Sequence, residues 1–215
     1  MQSIRHPPLT GIEITIDRLR MYVSLMNGFE LPFLAIQNIV HNLSCTEITE
    51  LSLCSRRSKR LMQSIRHPEP TGMEITIYRR MMYVSLVKRS FVCSLWAIEA
   101  ENNERLQHLY RDDVIGGVVV RVLKLSQTRF RIDAPQQPEN AMKALVDHLK
   151  DVFKLPLTVM FEPFGLENYR RFLPIFPVCY CLYVYSCDKI SEEELQFIRD
   201  NAVALWRSEC HSSNT

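Results

Sequence analysis

The clearest pattern of apolar and polar positions lies between Leu31 and Leu61, where two apolar series repeat at steps of three and four residues. The first series has the spacing of one helical face: Ile36, Ile39, Val40 and Leu43. Ser44 then precedes Glu47 in a capping box, which predicts the start of a second helix. The second series lies among basic residues: Ile48, Leu51, Cys54, Ser58, Leu61 and Ile65. Helices this small bury too little surface to stand alone, so we expect them to dock on the rest of the chain or on a partner.

The remainder of the chain predicts strands first and alternating helices and strands later. Apolar or β-branched runs predict strands at 73–77, 82–86, 91–98, 115–125 and 128–132, the last two as a hairpin. A helix at 139–153 follows, then a strand at 155–161, a brief helix at 167–173, a strand at 179–185 and a helix at 192–206 opened by Ser191 and Glu194. Because parallel neighbours need a crossover, this alternation predicts parallel pairing. The predicted fold class is α+β: a small N-terminal helical module followed by an α/β domain with β-hairpins and alternating helix–strand units.

An internal repeat precedes and overlaps these elements. Residues 1–25 recur at 62–86 with 19 of 25 positions identical. The second copy completes the last helix of the helical module and forms two strands. We interpret residues 1–28 as a partial tandem duplication, either weakly ordered or, through the alternation of Ile12, Ile14 and Ile16, an edge strand.

The ordered series from Leu31-Pro32 to the stretch Ser55–Leu61 resembles an F-box. It is similar to the variant in nematode F-box proteins that carry an F-box-associated domain, including Ser58 where most F-boxes have tryptophan. The stretches DHLKDVFKLPLTVMFE and CDKISEEELQFI resemble that second domain, so the resemblance covers about residues 29–205. We therefore expect four segments: a duplicated piece at 1–28, the F-box at 29–67, an F-box-associated α/β domain at 72–207 and a loose tail at 208–215.

The resemblance implies a non-catalytic substrate-recognition subunit of a Skp–cullin–F-box ubiquitin ligase, in the cytoplasm, the nucleus or both. Its F-box would dock on a Skp-type adaptor, and through it on cullin, while the second domain would hold a protein target of unknown identity. The candidate adaptor contacts are Leu31, Pro32, Ile36, Ile39, Leu43, Ile48, Leu51, Leu53 and Leu61, some of which must instead hold the helices together. The rival interpretation is a non-ligase α+β binding or scaffold protein, or a non-functional product of a partly duplicated F-box gene.

The amino-acid composition predicts the general class of the protein, the partners that it lacks and its redox compartment. An apolar fraction of 47%, a charged fraction of 23% and a net charge of +2 are typical of a soluble globular protein and predict neither a nucleic-acid nor a membrane partner. The basic run from Arg56 to Arg60 is interpreted as the solvated face of a helix. Seven scattered cysteines without a signal-like segment predict a reducing compartment and thiols that serve as small core residues.

The sequence contains no residue pattern that indicates an enzyme active site. Cys179, Cys181 and Cys187 lack a fourth ligand for structural zinc, and a thiol-dependent hydrolase has no support of its own. Gly116-Gly117 is not part of a phosphate-binding motif. His108 and His148 are interpreted as surface residues. We therefore expect no catalytic residues, no metal and no cofactor.

Overall fold

The structure is a computed structural model that describes residues 13–17, 20–24, 33–78, 81–89, 91–99, 109–134, 137–162, 170, 173–176, 178–186, 191–204 and 209–212. Leu31, Pro32 and His108 lie outside these residues, as does most of the brief helix expected at 167–173. Leu173–Ile175 forms a short 3-10 helix.

Three helices form the N-terminal module: α1 (Phe33–His41), α2 (Cys45–Cys54) and α3 (Arg56–Ser64). The capping box predicted at Ser44 is confirmed, because its hydroxyl accepts from the Glu47 N–H while the Glu47 carboxylate accepts from the Ser44 N–H. Ser55 ends α2 in an extended conformation, and its hydroxyl caps the start of α3. Ser55 is therefore the C-terminal cap residue of α2 and the N-terminal cap residue of α3.

The strands are β1 (Glu13–Asp17), β2 (Arg20–Ser24), β3 (Gly72–Tyr78), β4 (Met81–Lys88), β5 (Phe91–Glu99), β6 (Arg111–Ile115), β7 (Val118–Lys124), β8 (Arg129–Asp133), β9 (Leu157–Glu162), β10 (Val178–Cys179), β11 (Cys181–Ser186), β12 (Val203–Ala204) and β13 (Glu209–Ser212). Nine of these form one sheet in the order β13-β11-β9-β3-β4-β5-β8-β7-β6. Within the described residues, β1 pairs only with β2, and β10 pairs in parallel with β12.

The nine-stranded sheet contains both parallel and antiparallel strand pairs. Strand β9 pairs in parallel with β11, as the alternating pattern predicted. Strand β11 also pairs in parallel with β13, and β9 with β3. Antiparallel hairpins join β3 to β4, β4 to β5 and β7 to β8, which confirms the predicted strands and the predicted hairpin. Helix α4 (Pro138–Phe153) connects the two parts, with Pro138 in its first turn. Helix α5 (Glu192–Asn201) begins at the confirmed capping box of Ser191 and Glu194. The fold is thus α+β, as expected.

Among the residues that the structure describes, one apolar core lies between the helices and one face of the sheet. It contains the predicted apolar face of α4, together with buried residues from the helical module: Met142, Leu145, Val146, Leu149, Val152, Phe153, Val40, Cys45, Ile48, Met62 and Ile65. Trp96 of β5 stacks on Phe130 of β8 at 5.8 Å between ring centroids. The helical module is therefore part of the same core as the sheet.

Four expectations are wrong in detail. The strand expected at 115–125 is interrupted by a turn at Gly116-Gly117, before which the charged segment Arg111–Ile115 pairs with β7. The strand at 179–185 is broken at Tyr180. The last helix ends at Asn201 because Val203 and Ala204 pair with β10 instead. Part of the tail expected to be loose, Glu209–Ser212, pairs with β11. In each case pairing with another strand accompanies the local conformation, and single-segment patterns do not report such pairing.

The two copies of the repeat form the same hairpin. Asp17 faces Arg20 in the first copy, and the equivalent Tyr78 faces Met81 in the second. The first copy forms a separate two-stranded sheet, whereas the second lies at the centre of the nine-stranded sheet.

Candidate functional site

The helical module contacts the sheet through a polar stripe on α2. Thr46, Thr49 and Ser52 follow at steps of three and are all buried. The Thr46 hydroxyl lies 3.0 Å from the hydroxyl of Ser94 on β5, and Thr49 donates to the Cys45 carbonyl at 2.8 Å. Buried hydroxyls need partners, and these bonds supply them at defined geometry. The Thr46–Ser94 contact therefore links α2 directly to the sheet, whereas the Thr49 bond lies within the helix.

His148 of α4 is the partner of Ser52. The Ser52 hydroxyl lies 2.7 Å from His148 Nε2 and 2.7 Å from the Thr49 carbonyl. A hydroxyl has one proton, so when Ser52 donates to that carbonyl it accepts from the imidazole N–H. Burial, helped by the positive charge of Lys59, lowers the pKa of His148 to about 4. The expected surface position of His148 is wrong: the side chain is 5% exposed because α2 covers this part of α4.

Ion pairs lie at the edge of this contact. The Glu50 carboxylate of α2 is 3.0 Å from Lys124 Nζ on β7 and 3.9 Å from an Arg111 nitrogen on β6. Lys59 of α3 pairs with Asp151 of α4 at 2.7 Å. Each ion pair links the helical module to the sheet domain and so restrains the orientation of the module.

Part of the surface of the module is exposed. In α1, Phe33 is 52% exposed and Leu34 is 72% exposed. In α3, Arg56, Arg57 and Arg60 are exposed, as the basic run predicted, whereas Lys59 is half-buried and pairs with Asp151. Exposed large apolar side chains are a common feature of protein-docking sites.

The candidate contacts from the sequence fall into separate groups. Ile48 is 3% exposed and belongs to the core. Four others are partly buried and pack against that core: Ile36, Leu43, Leu53 and Leu61. Ile39 and Leu51 are half-buried, and Leu31 and Pro32 lie outside the described residues. The structure therefore brings most of the candidate residues to the inner side of the module.

Phe33 and Leu34 were missed by the sequence reasoning. A repeat of apolar residues at helical spacing identifies the face that packs against the fold. Phe33 lies three residues before Ile36 and continues that repeat, so its exposure was not predicted, whereas Leu34 falls outside the repeat. The available signal for Leu34 was its position as a large apolar residue in the first turn of α1, away from the apolar face.

Two of the cysteines in the carboxyl-terminal half of the chain, Cys179 and Cys181, lie among the described residues. Cys179 is buried, which raises the pKa of its thiol to about 11, while Cys181 is half-buried and Cys187 lies outside the described residues. Among the described residues, no three His, Cys, Asp or Glu side chains are grouped to hold a metal ion. Within the same ranges, no helix is long and apolar enough to cross a membrane.

Comparison with known proteins identifies an F-box domain at residues 29–68. This match covers α1, α2 and α3. Neither the curated proteins nor the solved structures include a significant match to the chain.

Proposed function

We propose that this chain, which carries an F-box domain at residues 29–68, is a substrate-recognition adaptor of a Skp–cullin–F-box ubiquitin ligase. The observation that carries the proposal is the position of this domain: its helices contribute buried residues to the shared core, while Phe33 and Leu34 of α1 remain exposed to solvent and define its open side. A Skp-type adaptor docks on this open side and connects the chain to cullin. The chain itself does no covalent chemistry, and it acts in the cytoplasm, the nucleus or both.

The mechanism is proximity. A target held by the sheet domain is carried to the charged ubiquitin-conjugating enzyme of the ligase, which raises the effective concentration of its lysines there. This requires a firm connection between adaptor and target. The polar stripe of α2, the Ser52–His148 contact and the Glu50 ion pairs support such a connection, because they hold the F-box on the sheet without a flexible linker.

The surface proposed for the target is the second face of the nine-stranded sheet. Alternation along the strands directs Trp96, Phe130 and Ile132 to the helices and their neighbours to the other face. That face presents half-buried side chains of mixed chemistry: Tyr83, Leu95, Ala97, Leu123 and Tyr183. Large aromatic and aliphatic side chains at half exposure are suited to binding another protein.

The test is direct binding of the folded chain to a purified Skp-type adaptor by calorimetry. Leu34→Asp places a charge on the proposed docking side, and we expect it to weaken adaptor binding at least about tenfold. Val119→Asp on β7 is the matched control, because Val119 is also 72% exposed but lies on the sheet domain. Leu51→Asp tests the half-buried candidate on α2.

The outcomes separate the proposal from its rival. If the folded chain does not bind the adaptor, it is a non-ligase binding or scaffold protein. If it binds, but Leu34→Asp and Leu51→Asp bind as well as Val119→Asp, the docking side is assigned wrongly. Far-UV circular dichroism on each variant shows whether the fold is retained.

A further inference from the structure

The hairpin β1–β2 of the first repeat copy lies beside the F-box. Cα atoms of β2 are within 8 Å of Cα atoms of α2. Among the described strands, β1 and β2 form a sheet of their own, apart from the nine-stranded sheet. The contact between β2 and α2 therefore joins the first copy of the repeat to the helical module.

The first copy carries the residues of a buried hairpin. In the second copy, four facing residues of β3 and β4 are 2% exposed or less: Ile75, Ile77, Met82 and Val84. The same residue types stand opposite one another in the first copy: Ile14, Ile16, Met21 and Val23. A two-stranded hairpin is at best marginally stable alone and needs a further strand or a helix to pack against. Helix α2 is in the position of such a helix.

The place in the sheet that would suit the first copy is already filled. Strand β3 of the second copy pairs with β9, and β4 pairs with β5. The second copy follows α3 in the chain and lies at the centre of the sheet, so the nearly identical first copy is left outside it. It is therefore a spare hairpin that is available to cover another surface of the molecule.

Helix α2 has contacts with several elements besides β2. It contacts α3, α4 and β5, and its buried residues Thr46 and Ser52 bond to the sheet and to α4. Leu51 and Cys54 are not buried. An outside protein that docks on the F-box helices must therefore share the remaining surface of this ten-residue helix with β2.

We propose that the hairpin β1–β2 is an autoinhibitory cover of the F-box, which packs on α2 and competes there with the Skp-type adaptor. This inference rests on the proposed function, because it concerns the regulation of adaptor docking. The chain exchanges between a covered form, with the hairpin on α2, and an open form that binds the adaptor. The affinity of the chain for the adaptor is then lowered in proportion to the fraction of chains in the open form.

The experiment measures adaptor binding by calorimetry with the full chain. The double variant Ile14→Asp, Val23→Asp places two charges on facing residues of the hairpin and leaves the second copy unaltered. We expect it to bind the adaptor at least about threefold more tightly, because uncovering removes the reduction in affinity. Thr15→Asp is the matched control, since it adds a charge to the same strand and retains the apolar residues. It is expected to bind like the unaltered chain, and equal or weaker binding by the double variant overturns the proposal.

Hydrogen–deuterium exchange read by mass spectrometry tests the cover itself. The amides of residues 13–24 are expected to exchange more slowly in the unaltered chain than in the double variant, and to lose this protection when the adaptor binds. Residues 74–85 are the internal reference, because this almost identical segment lies in the sheet and should stay protected throughout. Equal exchange of residues 13–24 in both chains without adaptor overturns the packing on α2.

The results also separate this inference from the proposed function. If neither chain binds the adaptor, the adaptor role fails and the inference fails with it. If both chains bind with the same affinity, the adaptor role stands and only the autoinhibitory cover is wrong. Protection of residues 74–85 shows that the sheet of the double variant is folded in either case.

Discussion

The turn between β6 and β7 consists of two glycines with different surroundings. Gly116 has φ +58° and Gly117 has φ +88°, a region that other residues adopt only with strain. A Cβ on Gly116 would also meet the Ala144 Cβ of α4 at 3.2 Å, whereas one on Gly117 would meet nothing within 4 Å.

We therefore expect Gly117→Ala to lower the free energy of unfolding by about 1 kcal/mol through backbone strain alone. Gly116→Ala should cost more, because the new methyl group also presses on α4. Urea unfolding of the two variants measures the difference. Equal losses would show that α4 accommodates the added methyl group freely.

The buried imidazole of His148 predicts a pH dependence of stability. Its pKa is lowered from 6.5 to about 4 by burial and by Lys59, against the opposing charges of Asp151 and Asp113. Between these values the unfolded chain binds a proton at residue 148 that the folded chain does not. The free energy of unfolding therefore falls as pH drops through this window, by up to about 3 kcal/mol.

His148→Gln removes this titration while leaving a polar side chain near Ser52. We expect its free energy of unfolding to depend less on pH between 6.5 and 4, as measured by urea unfolding at several pH values. The variant should retain some slope, because burial also lowers the pKa of His67. Parallel curves for the variant and the unaltered chain would contradict the assignment.

At the scale of elements, the ion pairs between the F-box and the sheet differ in shielding. The side chain of Glu50 is 20% exposed beside Lys124 and Arg111, whereas that of Asp151 is 56% exposed beside Lys59. We expect Glu50→Gln to lower the free energy of unfolding by about 1 kcal/mol and Asp151→Asn by less than about 0.5 kcal/mol. Urea unfolding at low and high salt measures both values. A larger loss for the Asp151 variant would mean that shielding does not rank these contacts.

The elements that the sequence predicted well are those whose signals are local. The capping boxes at Ser44 and Ser191 are contained within four residues each, and the apolar face of α4 needs only its own periodicity. Strand β6 was missed because its charged residues match no local strand pattern, and it exists through pairing with β7. The predicted helix at 192–206 ran past Asn201, where α5 ends, because Val203 pairs with β10 and the local sequence does not show this pairing.

The candidate site was predicted less well than the fold. Helical periodicity identified apolar residues of the F-box. Such periodicity marks the residues that pack inside the fold, so Ile48, one of the candidate adaptor contacts, lies in the core. The sequence pattern did not indicate that the polar stripe of α2 is buried. Hydroxyl residues at helical spacing are usually solvent-facing, and only the approach of Ser94 and His148 from distant segments accounts for their burial.

At the scale of the whole molecule, the F-box and the sheet domain share one core. Val40, Ile48 and Met62 of the F-box belong to the same buried cluster as Trp96 and Phe130 of the sheet. Two parts that bury their apolar residues against each other unfold together, because neither retains its core after separation. We therefore expect the two parts suggested by the sequence to unfold as one cooperative unit.

Trp96 gives a means to test this cooperativity. It is buried beside Thr46, Thr49 and Leu53 of α2, around a cavity of about 10 Å³. The chain has two tryptophans, so Trp206→Phe leaves Trp96 as the single fluorophore of that type. In this background we expect the urea transition of Trp96 fluorescence to coincide with the loss of helical circular dichroism.

Adding Ile48→Ala then tests whether the F-box stabilises the sheet. The substitution removes buried methyl groups from α2 only, and it should lower the free energy of unfolding by about 2–4 kcal/mol. Because the core is shared, we expect both transitions to move to lower urea together. If helical signal is lost at lower urea while Trp96 fluorescence is unchanged, the F-box unfolds by itself and the sheet domain holds an independent core.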